Sequence, residues 1–206
     1  NCRNAPSPDG KYVTYIDNSG NLAVRDLKAE TSRLLTNEAN NSPYQSAYSS
    51  RWSHDGKQVA YNWEQELENG QEIQLRILAL EDPKPRIIFR GDELKKAWVE
   101  PQDWSPDGKQ ILVRTSLKGQ ADQLALIPVQ GGSPKAIKTI EPGTTVGVGM
   151  ASFSPDGRYV VYDRLTGKGA ASDLFIVDVT GGGETPLIRH PADDRLLGYS
   201  PDGNWI

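Results

Sequence analysis

A four-residue phrase, Ser-x-Asp-Gly, occurs five times in this 206-residue chain. Its aspartates stand at positions 9, 55, 107, 156 and 202, so successive copies are 46, 52, 49 and 46 residues apart. A period of about 20 to 50 residues indicates a repeat architecture, in which each unit packs on its neighbours instead of forming its own core. The phrase therefore constrains the fold more than any other feature of the chain.

Each copy of the phrase has the residues of a tight turn. Proline, which is replaced by His54 in the second copy, fixes φ at the second position, and the serine hydrogen-bonds the backbone at the first. Glycine accepts the left-handed backbone conformation that closes the turn. Short runs rich in Val, Ile and Tyr follow, as at residues 12–15 and 159–162, and such residues favour strands. Each copy is therefore predicted to join two strands.

The segments between the turns predict two further strands per unit and a fixed aromatic position. A second apolar run begins at Leu22, Leu75, Leu124 and Leu174, and a turn and an outer strand come after it. A large ring stands directly before the later turns, at Trp52, Trp104, Phe153 and Tyr199. Four strands per unit predict an all-β fold, a β-propeller of four-stranded antiparallel blades. The predicted blades are residues 1–40, 41–93, 94–142 and 143–191.

Residues 192–206 begin a fifth blade in this scheme, and the chain stops inside its second predicted strand. We therefore expect a single partial propeller, a fragment of a larger one, with further blades or an attached domain outside these residues.

The repeat resembles that of the TolB-like propellers, relatives of the tryptophan-aspartate repeat propellers. The pattern is an aromatic residue, Ser-Pro-Asp-Gly-Lys, then Leu-x-apolar-x-Asp and Leu-Thr. It is carried by residues 104–111, 153–162, 22–26, 174–178 and 35–36, and the resemblance extends over almost the whole chain.

The resemblance implies a non-catalytic binding or scaffolding module for a protein or peptide partner, such as the sensor part of a larger bacterial protein. It favours a periplasmic or other extracytoplasmic location, and the cytoplasm stays an alternative. The same repeat occurs in propellers that gate substrates for prolyl-oligopeptidase-like serine peptidases, so that function stays open. A carbohydrate-binding propeller is a third hypothesis.

Composition argues against several classes of partner. The net charge of −4, with 24% charged residues, provides no basic field to attract nucleic acid. No stretch approaches the roughly 18 consecutive apolar residues of a membrane span. Cys2 is the only cysteine, which excludes an intrachain disulfide and a zinc cluster made of cysteines.

The chemistry-bearing residues do not predict a catalytic, cofactor or metal site. The segment around Ser200 lacks the second glycine of a nucleophile elbow, since position 202 is aspartate. The repeated aspartates occupy equivalent turns of different units, farther apart than the paired carboxylates of glycosidases. His54 and His190 have no histidine or cysteine at metal-ligand spacing.

Ligand-binding residues are expected on the loops at one end of the propeller and on the strands around its axis. Long loops are predicted at residues 62–74 and 163–173. The first contains Trp63 beside Glu64, and the ring is either exposed in an acidic setting or packed on the blade. Arg164 belongs to the second loop.

The axial strands supply the other candidates. Tyr48, Arg51 and Gln102 precede the aromatic positions of their units, and the sequence leaves open whether they face the axis. The candidate ligand-binding residues are therefore Trp63, Glu64, Arg51, Tyr48 and Arg164.

Overall fold

The structure, a computed structural model, describes residues 5–39, 45–67, 70–91, 98–116, 121–140, 148–165, 171–200 and 203–206. In these residues sixteen β-strands form four antiparallel sheets of four strands each, and no α-helix is present. The prediction of an all-β fold built from four-stranded antiparallel units is confirmed. The division of the chain into numbered blades stays a prediction.

Each sheet is a meander whose strands lie side by side in chain order. The first sheet contains β1 (Ala5–Pro6), β2 (Tyr12–Ile16), β3 (Leu22–Asp26) and β4 (Ser32–Leu34). The second contains β5 (Gln45–Trp52), β6 (Gln58–Leu67), β7 (Gly70–Ala79) and β8 (Arg86–Arg90). The third contains β9 (Trp98–Trp104), β10 (Gln110–Ser116), β11 (Gln123–Pro128) and β12 (Lys135–Thr139). The fourth contains β13 (Val148–Phe153), β14 (Tyr159–Leu165), β15 (Ser172–Asp178) and β16 (Thr185–Ile188).

The repeated phrase forms the turn between the first and second strand of each sheet. In all five copies the glycine N–H donates to the serine carbonyl at 2.8–2.9 Å, and the glycine φ lies between +68° and +71°. The serine Oγ accepts a hydrogen bond from the backbone five residues later, as in Tyr12 N to Ser7 Oγ at 2.9 Å. In the four copies described in full, the same hydroxyl donates to the aspartate at 2.6–2.7 Å. The phrase is therefore occupied in stabilising its own turn.

Neighbouring turns touch through the proline of one and the glycine of the next. A Cβ built on Gly157 would lie 3.3 Å from Pro106 Cδ, and one on Gly56 would lie 3.9 Å from Pro8 Cδ. The second turn differs because it carries His54. Its Nε2 donates to the carbonyl oxygen of Trp104 at 2.8 Å instead.

The hydrophobic core is divided among the spaces between adjacent sheets. Trp52, Tyr61 and Trp63 pack against the first sheet, and Trp104 lies in the space between the second and third sheets. Tyr162 and Phe175 pack against the third sheet from the fourth. A face of each sheet is buried only where an adjacent sheet packs against it. The units therefore stabilise one another, as in other repeat proteins.

The rings before the turns also tie first strands together by hydrogen bonds. Trp52 Nε1 donates to the Ala5 carbonyl at 2.9 Å, and Trp104 Nε1 donates to the Arg51 carbonyl at 3.0 Å. In each case the acceptor lies in the preceding unit, one residue before the position that the ring occupies in its own unit. That position is Pro6 in the first unit and Trp52 in the second, so the acceptors are Ala5 and Arg51. The same link thus recurs in successive units.

The predicted long loop at residues 62–74 is wrong. β6 and β7 continue through it as a hairpin paired from Gln58 opposite Ala79 to Leu67 opposite Gly70. Three of the polar residues in this segment, Asn62, Glu72 and Gln74, are buried in the sheet, and Glu72 accepts from Gln74 at 2.7 Å and from Arg90 at 2.6 Å. At residues 163–173, both described ends of the predicted loop are strand, in β14 and β15, and residues 166–170 lie outside the described residues.

Candidate functional site

The first strands of neighbouring sheets surround a cleft of about 1380 Å³. Its wall is made by the first strands β1, β5, β9 and β13, by residues of β6, β7, β10 and β14, by Asp122 and by residues 195–197. The first strands provide half of the lining residues, as expected for strands around the central channel of a propeller.

Bulges in the axial strands shape this wall. The pairing of β5 with β6 sets two residues, Tyr48 and Ser49, opposite Asn62 alone, and that of β13 with β14 sets Gly149 and Met150 opposite Asp163. In β9 the extra residue is Gln102. A bulge bends the strand and changes the direction of its side chains, and bulges are over-represented next to functional sites. All five bulged residues line the cleft.

Side chains on the second strands hold two of these bulges in place. Ser49 N donates to Asn62 Oδ1 and Met150 N donates to Asp163 Oδ1, both at 2.7 Å. A Cβ at Gly149 would lie 2.3 Å from Asp163 Oδ2, so only glycine leaves room for this carboxylate. The bulges are therefore fixed by specific hydrogen bonds, and the cleft wall is preorganised.

Three arginines line the cleft, and each is engaged by the protein. Arg51 donates to the carbonyl oxygens of Gln102 and Ser50, each at 2.8 Å. Arg114 forms an ion pair with Asp122 at 2.8 Å and stands over the Trp98 ring at 5.1 Å. Arg195 lies 3.5 Å from Asp163. Their charges are offset by carbonyl or carboxylate oxygens of the wall itself.

Five carboxylates line the same cleft: Glu64, Glu100, Asp103, Asp122 and Asp163. Glu100 accepts from Ser49 Oγ at 2.7 Å and has no ion-pair partner among the residues that the structure describes. The Glu64 side chain has neither a hydrogen bond nor an ion pair within that part of the chain. Glu64 of the second sheet and Glu100 of the third thus form no ion pair with a basic side chain in the described part of the chain.

Asp103 joins the third sheet to the fourth. Its Oδ2 accepts from Ser152 Oγ at 2.8 Å and from Phe153 N at 2.9 Å, and its Oδ1 lies 4.0 Å from His54 Nε2. Burial raises the pKa of Asp103 above its ordinary value, although these hydrogen bonds oppose the shift. The protonation of this cleft carboxyl therefore depends on the balance between its burial and the groups that donate to it.

Four of the residues considered from sequence meet in the cleft. Tyr48, Arg51, Gln102 and Glu64 all line it, which answers the open question for Tyr48, Arg51 and Gln102: they face the axis. Their role in binding a ligand stays a prediction.

Trp63 does not belong to this group. Its side chain is 0% exposed, packs in the core between the first and second sheets, and has the Arg76 guanidinium 4.7 Å from its ring centroid. The packed alternative is confirmed and the exposed one is wrong, because Trp63 faces the first sheet while its neighbour Glu64 faces the cleft. A carbohydrate-binding propeller loses the residue on which that hypothesis rested.

Arg164 also lies away from the cleft, between the third and fourth sheets. It donates to Glu184 at 2.7 Å and stands 4.2 Å from the centroid of the Phe175 ring. Burial raises the pKa of Glu184, but hydrogen bonds from Tyr162, Arg164 and Lys138 outweigh that effect and lower the pKa to about 2. The geometry makes Arg164 a structural residue of this junction.

Trp98, Glu100, Arg114 and Asp163 also line the cleft, although their sequence positions were not recognised as cleft positions. A usable signal was present for two of them. Counting seven residues on from the aspartate of the phrase gives Asn62, Arg114 and Asp163 in three successive units. In these three units the position follows the apolar run of the second strand, so a polar residue there marks the part of the strand that reaches the cleft.

The described residues contain no cluster of three or more His, Cys, Asp or Glu side chains suited to a metal ion. Within the same ranges, no helix has the length and apolar character needed to cross a membrane.

Two curated relatives align with most of the chain. YuxL of Bacillus subtilis strain 168, described as an uncharacterized peptidase, is 27% identical over 204 residues, which cover 97% of this chain and 28% of YuxL. The uncharacterized protein Atu1656 of Agrobacterium fabrum strain C58 is 26% identical over 155 residues, which cover 75% of this chain and 47% of Atu1656. The chain thus spans less than half the length of either relative. No protein-family profile matches it.

The solved structure of TolB from Acinetobacter baumannii has the same architecture. It superposes with a TM-score of 0.67 at 20% identity, covering 97% of this chain and 46% of TolB. The chain therefore has a TolB-like propeller fold.

Proposed function

We propose that this chain is a non-catalytic binding propeller that holds a peptide or an extended protein segment in the cleft between its axial strands. The observation that carries the proposal is the cleft itself: its wall is formed by four sheets, and hydrogen bonds hold two of its bulged strands in place. It presents the aromatic side chains of Tyr48 and Trp98 beside charged groups, a combination suited to peptide recognition.

The preorganised wall supports binding because little conformational entropy is lost when a ligand arrives. Arg51, Arg114 and the two bulge-capping side chains are already fixed by hydrogen bonds of 2.7–2.8 Å. Membership of the TolB-like repeat family and a location outside the cytoplasm are part of the same proposal. They rest on the repeated phrase and on the likeness in fold.

The test is selection from a displayed library of unstructured peptides, followed by binding measurements on a blocked variant. Ser116 lies at the end of β10 and lines the cleft, so Ser116→Trp places a large ring inside it. Thr139→Trp adds the same ring at an exposed position on the outer strand of the same sheet. Selected peptides should bind the parent chain and Thr139→Trp equally, and lose at least about tenfold in affinity for Ser116→Trp. Failure to select any peptide, or equal binding to both variants, would refute the proposal.

A second candidate is a propeller that gates substrates for a serine peptidase. The alignment with YuxL, over 97% of this chain and 28% of that protein, favours it. It requires a catalytic unit joined to the propeller, recognisable by Gly-x-Ser-x-Gly with later Asp and His residues. In such a protein Ser116→Trp would change the length of peptide that is cleaved. A continuous reading frame without this motif would exclude the candidate.

A further inference from the structure

The wall of the cleft between the second and third sheets is rich in acceptors that the protein leaves unused. Gln102 is 4% exposed and lines the cleft, and its Oε1 accepts no hydrogen bond from the described residues. A buried acceptor without a partner costs free energy unless a ligand supplies the donor. Gln102 therefore points to an occupant that carries hydrogen-bond donors.

Two carboxylates stand on the same wall. Ser49 is hydrogen-bonded both to Asn62 on β6 and to Glu100 on β9, which places Glu100 beside β6. Glu64 follows Asn62 by two residues on the same strand, and side chains two apart share a face of a strand. Glu64, Glu100 and Gln102 thus form one surface, here called the acceptor wall.

The arginines of the cleft form no ion pair with Glu64 or Glu100. Arg114 and Arg195 pair with Asp122 and Asp163, and Arg51 donates to the backbone carbonyls of Gln102 and Ser50. Of the five carboxylates in the described lining, Asp122 and Asp163 pair with arginines and Asp103 lies beside His54. Glu64 and Glu100 are the two that form no ion pair with any described residue.

Apolar surface lies next to these acceptors. Ile73, which pairs with Glu64 across β6 and β7, and the ring of Trp98 both line the cleft. A lysine or arginine side chain combines an aliphatic stem with a terminal cluster of donors, and so matches an apolar surface beside carboxylates.

We propose that the acceptor wall binds a lysine or arginine side chain of the ligand peptide, with the cation between Glu64 and Glu100 and a donor directed to Gln102. This inference rests on the proposed function and specifies the chemistry of its ligand. The pairing would be charge-assisted and shielded by the cleft, where ion pairs are stronger than at an open surface.

The test uses three fluorescein-labelled pentapeptides, Gly-Gly-X-Gly-Gly, in which X is Arg, Gln or Glu, and measures their fluorescence anisotropy with the whole chain. The Arg peptide should bind about tenfold tighter than the Gln peptide and tighter still than the Glu peptide. Glu64→Gln and Glu100→Gln should each remove most of this preference while leaving the unfolding temperature unchanged. Glu81→Gln, at an exposed turn outside the cleft, should leave binding unchanged.

Charge reversal gives a second readout that loss of folding cannot imitate. Glu64→Lys should bind the Glu peptide more tightly than the Arg peptide. Equal binding of all three peptides to the parent chain, with sensitivity to Ser116→Trp, would overturn this inference and keep the peptide-binding cleft. A preference for the Glu peptide would overturn it as well. Absence of binding by any peptide, including those selected from the library, would overturn both.

Discussion

Neighbouring first strands are linked by hydrogen bonds at the junction between the second and third sheets and at the junction between the third and fourth. The two junctions use different donors and acceptors. At the former, the Trp104 ring donates to the Arg51 carbonyl at 3.0 Å. At the latter, Phe153 occupies the equivalent position and has no ring donor, and the Asp103 carboxylate instead accepts from Phe153 N and Ser152 Oγ. The repeat thus keeps a link between neighbouring first strands while it changes the donor and the acceptor. One link is neutral and the other depends on the charge of a carboxyl group.

The largest effect is expected for Trp104→Ala. The side chain is 1% exposed and lies in the core between the second and third sheets, so its removal leaves a cavity and takes the indole donor from the Arg51 carbonyl. The free energy of unfolding, measured by denaturant titration, should fall by about 3–5 kcal/mol. Trp205→Ala serves as the control because that ring is 74% exposed, and its effect should stay within about 0.5 kcal/mol. Similar losses in both variants would show that this junction does not depend on Trp104.

Asp103→Ala tests the junction between the third and fourth sheets. Three donors lose their acceptor, Phe153 N and Ser152 Oγ across the junction and Trp104 N within the third sheet, and the free energy of unfolding should fall by about 2 kcal/mol. Asp82→Ala at an exposed turn should change it by less than about 0.5 kcal/mol. If Asp103→Ala is as mild as its control, apolar packing alone holds this junction and the comparison fails.

The pH dependence of the two links should differ as well. The pKa of Asp103 is raised by burial above its ordinary value of 3.8, so the folded state holds this proton more tightly than the unfolded state. Its contribution is therefore full below pH 3.8 and is lost as the pH rises through the folded pKa. Relative to Asp103→Asn, the parent chain should lose stability across that window. If the free energy of unfolding changes with pH in the same way for the parent chain and for Asp103→Asn, the pKa of Asp103 is not raised by folding.

Trp-to-Phe substitutions separate the hydrogen bond from the packing. Trp104→Phe should cost about 1 kcal/mol beyond the lost ring volume, because the Arg51 carbonyl loses the indole donor. Trp52→Phe should cost less, since the Ala5 carbonyl keeps a hydrogen bond from Thr14 Oγ1 at 3.1 Å. Equal costs in denaturant titrations would mean that the indole hydrogen bonds contribute nothing specific.

The smallest effect is expected for His54→Pro, which restores the common phrase. The hydrogen bond from Nε2 to Trp104 is lost, while proline rigidifies a turn that three other described copies form with proline. These changes oppose one another, so stability should move by no more than about 0.5 kcal/mol. His54→Ala, which loses the bond without gaining rigidity, should be the less stable of the two by calorimetry.

Most of the architecture was predictable because the phrase marks the turns locally. Serine, aspartate and glycine act within six residues of one another, so their spacing determines the first hairpin of every sheet. The segment from Gln58 to Ala79 was misassigned for the opposite reason. Its buried Glu72 depends on Arg90, 18 residues away, and a polar residue satisfied at such a distance resembles a loop residue in the sequence.

The cleft was predictable only in part. Tyr48, Arg51 and Gln102 could be proposed because they stand at fixed distances from the turns. Their direction depends on bulges, and bulges arise from the pairing of two strands rather than from either strand alone. Trp63 and Glu64 are adjacent in sequence yet face different sheets, because successive side chains of a strand point to opposite faces. The prediction of a loop there gave no reason to expect this alternation.

The bulges have a consequence for how such a propeller diversifies. The residues that line the cleft at Tyr48, Ser49, Gly149 and Met150 lie outside the regular ladder of paired residues, and two side chains of the second strands hold the bulged backbone in place. Substitution of Tyr48 or Met150 therefore alters the cleft surface. It has little effect on the alternating strand side chains that pack in the spaces between sheets. If the cleft binds a peptide as proposed, ligand specificity and foldability are encoded at separate positions, and combinatorial libraries at these bulges would sample new ligands on an unchanged scaffold.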